Sequence, residues 1–102
     1  MTTRKRATNL LQKAVGDLNF GMFLRSARVS LDITQAEIAK MLKVTKSVIC
    51  DIEKGRQLVS PSLAQKIAKQ AGLSEKLAIK LALQDQLAKA NIDLLVDVHE
   101  AA

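Results

Sequence analysis

The side chains best placed for chemistry are Lys46, Ser47, Cys50 and Asp51, four small or polar residues within six positions. At about 100° per residue on an ideal helix, Cys50, Lys54, Ser47 and Asp51 all fall within roughly 140° of Lys46. Val48, Ile49 and Ile52 fall on the opposite side. One face is therefore apolar and the other presents an ammonium, a hydroxyl, a thiol and a carboxylate. Such a set is suited to hydrogen bonding in a groove and has no activated nucleophile.

Other chemistries are poorly served. Cys50 is the only cysteine and His99 the only histidine, so an internal disulfide and a two-histidine or cysteine-rich metal site are both ruled out. No metal or cofactor is expected, and a reducing cytoplasm fits best. Gly16 and Gly21 have the spacing of a phosphate loop, but Met22 and Phe23 follow where Lys and Ser/Thr are required. A nucleophilic triad would depend on a histidine near the chain end, so an enzyme is not expected. Phe20 and Phe23 are the only aromatic residues, too few for stacking on single strands, which favours a duplex partner. No run approaches the roughly 18 apolar residues of a membrane span, and no partnership with a membrane is expected.

At 102 residues with 48% hydrophobic side chains, the chain has the size and composition of one domain. Its net charge of +6 favours a polyanion. The charge is uneven: residues 1–80 carry 15 basic and 6 acidic side chains, residues 81–102 carry 1 and 4. A basic body with an acidic, apolar end points to two different contacts.

Helix signals recur along the sequence, so the class is all-α. Residues 1–18 read as a basic arm, Arg4-Lys5-Arg6, followed by a short amphipathic helix on Leu10, Leu11, Ala14, Val15 and Leu18. Asn19 is a helix cap, and Asp32 marks the turn after that helix. Thr34 and Glu37 form a capping box, in which each residue satisfies a backbone N–H of the other. Thr45 opens a second helix only eleven residues later. Ser60-Pro61 and Ser74 open two more, with Gly72 closing the first of them.

Residues 34–55 therefore read as helix, tight turn, helix. In that frame Ala39 must be small at the crossing, Val44 plugs the turn, and Ile49 and Ile52 bury the second helix. With these residues, the stretch from about Phe20 to Gly72 resembles the phage-repressor helix-turn-helix family of Cro/cI or Xre type. The resemblance implies five helices, with residues 19–90 as the DNA-binding domain. It also implies an Arg28–Glu53 pair within the domain and a phosphate-reaching Gln35. Docking follows the family: Lys46, Ser47, Cys50 and Asp51 meet base edges in the major groove, and Gln35, Thr45, Lys54 and Arg56 meet the backbone. Lys46 can donate to guanine O6 or N7, and Asp51 can accept from cytosine N4. Lys43 departs from the pattern, because the family often has glycine there.

Residues 91–102 are expected to be a dimerisation or partner-binding tail. Ile92, Leu94, Val96 and Val98 alternate with other residues at the two-residue period of a strand, and a two-fold ribbon would satisfy such a strand. A prolonged helix through Leu87, Asn91, Leu94, Leu95 and Val98 is the competing reading. Two functions are compatible with the whole: a homodimeric repressor on a palindromic operator in double-stranded DNA, and an antitoxin that neutralises a toxin protein while repressing its own operon.

Overall fold

The computed structural model describes residues 18–101. Five helices follow one another: α1 (Phe20–Ser30), α2 (Gln35–Leu42), α3 (Lys46–Glu53), α4 (Pro61–Ala71) and α5 (Glu75–Lys89). The class is all-α, as expected, and no strand occurs among the described residues. The arm and the short helix expected over residues 1–17 lie outside the described residues.

Each helix begins where a short polar side chain accepts from the exposed N–H groups of the first turn. Asn19 accepts from Met22, Thr34 from Glu37, Thr45 from Val48, Ser60 from Leu63 and Ser74 from Leu77. At Thr34 the box is closed on both sides, with the Glu37 carboxylate accepting from the Thr34 N–H at 3.2 Å.

Every helix also ends in the same way. Asp32, Lys43, Gly55, Gly72 and Asn91 all have positive φ, and in each case the next residue's N–H reaches back to the carbonyl five positions earlier: Ile33 to Arg28, Val44 to Ala39, Arg56 to Asp51, Leu73 to Ala68 and Ile92 to Leu87. This is the Schellman closure, which reverses the chain within two residues. Three of the five left-handed positions are held by residues other than glycine, at a cost of roughly 1 kcal/mol each.

The core is aliphatic apart from Phe20. Phe20, Leu24, Ile38, Leu42, Ile49, Ile52, Ile67 and Leu81 are fully buried. Alanines at 39, 64, 68, 78 and 82 let the helices approach closely. Packing joins α1 to α3 and α5, α2 to α3 and α4, and α4 to α5. The recognition-type helix α3 is thus held between α1 and α2.

The tail corrects both readings of residues 92–98. Asn91 at φ 59° ends α5, so the helix does not continue to Val98. No second strand is available among the described residues, and the Gln84 carboxamide takes its place. Its Nε2 donates to the Leu94 carbonyl at 2.8 Å and its Oε1 accepts from the Val96 N–H at 2.7 Å. A side-chain amide carries the same donor and acceptor as a peptide group, so it satisfies backbone that a strand partner would otherwise have to pair.

Candidate nucleic-acid interface

Sequence places the hydrogen-bonding groups on α3, and the fold decides which of them face outward. Ile49 and Ile52 are 0% and 1% exposed, and Val48 packs partly buried on the core. Lys46 and Ser47 are exposed at the start of the helix, whereas Cys50 and Asp51 are half-buried one turn on. The four residues share the side away from the core. Thr45 is exposed, and its hydroxyl accepts from the Val48 N–H at 3.2 Å. The hydroxyl proton stays free to donate.

Lys54 and Arg56 follow the last turn of α3 and are exposed. Arg56 lies 3.9 Å from the Asp51 carboxylate, an open pair worth little energetically. The pairing nevertheless places a cation beside the one acid on this face. Between α2 and α3, Lys43 takes the left-handed conformation at φ 58°, ψ 42°. The turn expected from glycine therefore forms with lysine, and its side chain points to solvent. Ala39, 4% exposed, accepts from the Val44 N–H at 3.0 Å, and Val44 packs partly buried against the core.

Glu53, at the end of α3, fixes the angle of that helix. Its carboxylate accepts from Arg28 Nε at 2.7 Å and from a second Arg28 nitrogen at 3.1 Å. Gln35 Nε2 donates to the same carboxylate at 3.0 Å. Arg28 also donates to the Ile33 carbonyl at 3.0 Å. One buried carboxylate thereby ties α3 to α1, to the first residue of α2 and to the loop between them. Burial alone would raise the Glu53 pKa, but the hydrogen bonds from Arg28 and Gln35 and the charges of Arg28 and Arg25 outweigh it, leaving the carboxyl below its usual range. The Glu53 hydrogen bond raises the Arg28 pKa despite burial. Gln35, expected at a phosphate, spends one amide N–H on Glu53 and keeps its other hydrogen-bonding capacity.

Three supports of this interface have no sequence signal. Gly21 lies where α1 meets the end of α3, so a Cβ there would overlap the Ile52 carbonyl oxygen and stand 2.9 Å from that of Glu53. Asp85, on α5, accepts from the Phe20 N–H at 3.0 Å and so completes the start of α1. Burial raises its pKa, and that hydrogen bond only partly offsets the effect. Lys66, on α4, donates to the Leu42 carbonyl at 3.2 Å and places its charge at the negative end of α2. Each joins residues distant in sequence, which no local pattern encodes.

No helix among the described residues is long and apolar enough to cross a membrane. A family model described as helix-turn-helix matches residues 24–78. Searches of curated proteins and of solved structures returned no match. The matched stretch covers more than half of the chain and holds α2, its left-handed turn, the outward face of α3 and the whole Glu53 network, so the protein belongs to the helix-turn-helix family of Cro/cI and Xre type and is a DNA-binding transcriptional regulator.

Proposed function

We propose that the protein is a homodimeric repressor that reads a palindromic operator through the major groove. The observation that carries this reading is the division of α3, whose isoleucines are buried while Lys46 and Ser47 stand exposed at its start. In this reading the first turn of α3 enters the groove, where Lys46 donates to guanine and Ser47, Cys50 and Asp51 meet neighbouring base edges. Arg56, close to Asp51, offsets the repulsion between that carboxylate and the phosphates. Gln35, Thr45, Lys54 and Arg56 hold the backbone and set the register.

A single α3 spans only a few base pairs, so two copies on half-sites about 34 Å apart supply the length a specific site needs. Val96 and Val98, both half-buried in the tail, are the proposed part of the contact between copies.

Selection of bound duplexes from a random pool tests the reading. A symmetric site with one-turn half-site spacing is expected, and Lys46→Ala with Ser47→Ala should erase the preference while leaving fold and oligomeric state unchanged. Enrichment of an asymmetric site, or a preference that survives the double substitution, would remove α3 as the reader.

A further inference from the structure

Apart from the face proposed to meet DNA, the molecule has an open groove of about 690 Å³ between the second half of α5 and the tail. Asp85 and Ala88 form its wall on α5, with Ile92, Asp93, Leu94 and Leu95 on the tail side. Ile92, Leu94 and Leu95 are 44%, 65% and 57% exposed. A second, smaller groove shares Asp85 and Ala88 and continues past Asn19 and Phe20. The point where the described chain begins therefore lies beside this surface.

We propose that the groove is the docking site of the chain's own N-terminal segment, with Leu10, Leu11, Ala14 and Val15 set against Ile92, Leu94 and Leu95. Three observations identify this occupant. The Phe20 N–H is 3.0 Å from the Asp85 carboxylate, and Leu18, two residues earlier, already packs partly buried on the core. The last member of the apolar stripe is thus anchored beside the groove.

Length agrees with this placement. Val15 and Leu10 are three and eight residues from Leu18, so the chain lets them reach at most roughly 11 and 29 Å from that anchor. Charge agrees as well. Residues 1–17 carry Arg4, Lys5, Arg6 and Lys13 against Asp17. The groove presents Asp85 and Asp93, and neither has an ion-pair partner among the described residues. Asp97 and Glu100, further along the tail, are instead paired with His99 at 3.1 Å and Lys76 at 3.3 Å. Val96 and Val98 lie outside the groove lining and stay available to the second copy proposed above.

The test is a nitroxide label at Leu11→Cys in the full chain carrying Cys50→Ser, read on the backbone amides of residues 92–95. Strong broadening in the labelled chain itself, unchanged on dilution with unlabelled chain, is the expected result. Broadening that appears only between chains of a mixed sample would assign the groove to a second copy and overturn the proposal. No broadening at all would overturn it too, leaving the groove to a foreign protein or to solvent. In a second measurement, Leu10→Asp with Leu11→Asp should speed hydrogen exchange at residues 92–96 by about tenfold or more while the amides of α2 and α3 keep their rates. Unchanged exchange along the tail would count against docking whatever the label shows.

Discussion

Replacing Gly21 with alanine sets two physical effects against each other with opposite signs. Alanine is the better helix former by about 0.8–1.0 kcal/mol, so on propensity alone the substitution in the first turn of α1 stabilises. The close approach to α3 predicts the reverse. The new Cβ would overlap the Ile52 carbonyl oxygen and stand 2.9 Å from the Glu53 carbonyl oxygen and 3.1 Å from its carbon, whereas ordinary contact begins near about 3.5 Å. All three atoms are backbone, so no rotamer change relieves the overlap and the two helices must separate. Overpacking of this kind costs about 1–3 kcal/mol, more where backbone itself has to move. Separation also stretches the Arg28–Glu53 pair, which spans the same interface at 2.7 Å. Because backbone must move, the upper part of that range, about 2–3 kcal/mol, applies, so a net loss of about 1–2 kcal/mol remains after the propensity gain, equivalent to a fall in Tm of about 5–15 °C for a domain of this size. Thermal unfolding followed by circular dichroism gives the sign, and duplex titration should show operator affinity falling with it, because the angle of α3 changes. A Gly21→Ala chain as stable as the parent, or more so, would refute the close-approach argument and with it the claim that α1 sets the position of α3.

Other expectations follow from the same contacts. Arg28→Met leaves the Glu53 carboxylate buried without its cation and should cost about 3–5 kcal/mol in urea unfolding, while Arg28→Met with Glu53→Met should recover most of it. Because the Glu53 pKa is depressed in the fold, its contribution is present above the unfolded value near about 4.3 and is lost as pH falls through the lower folded value; the acid limb of a stability–pH curve should flatten in the double variant. Asp85 has the opposite sign: its pKa is raised, so its contribution is full below the unfolded value near about 3.9 and is lost as pH rises through the higher folded value. Asp85→Asn keeps an acceptor for the Phe20 N–H and should raise the urea midpoint at pH 7, with the gain vanishing in acid. Arg56→Ala should weaken all duplexes alike and reduce the slope of log affinity against log salt by roughly one unit; an unaltered slope would show that Arg56 meets no phosphate.

What was legible in the sequence is what is decided within a few residues. The five caps join residues three apart, so Ser, Thr and Asn before an apolar run declare a helix start wherever the run later packs. The division of α3 is also local, because the spacing of Ile49 and Ile52 puts them on one side of any helix. Arg28 with Glu53 was legible only through family resemblance, since their spacing of 25 residues follows no helical or strand period.

The sequence by itself determined that residues 34–55 make two abutting helices with one polar face, because capping and side-chain period act before any tertiary contact. It did not determine the tail. Its alternation is compatible with a strand, but a strand exists only with a partner edge, and Gln84 satisfied the Leu94 carbonyl and the Val96 N–H from α5 instead. Nor did it determine why Gly21 is a glycine or what Asp85 does, because a carbonyl on α3 and an N–H on α1 confront them only once the helices are packed. The physical reason is the same throughout: hydrogen-bond satisfaction and steric exclusion are properties of what lies within about 4 Å, and for these residues those neighbours come from elsewhere in the chain.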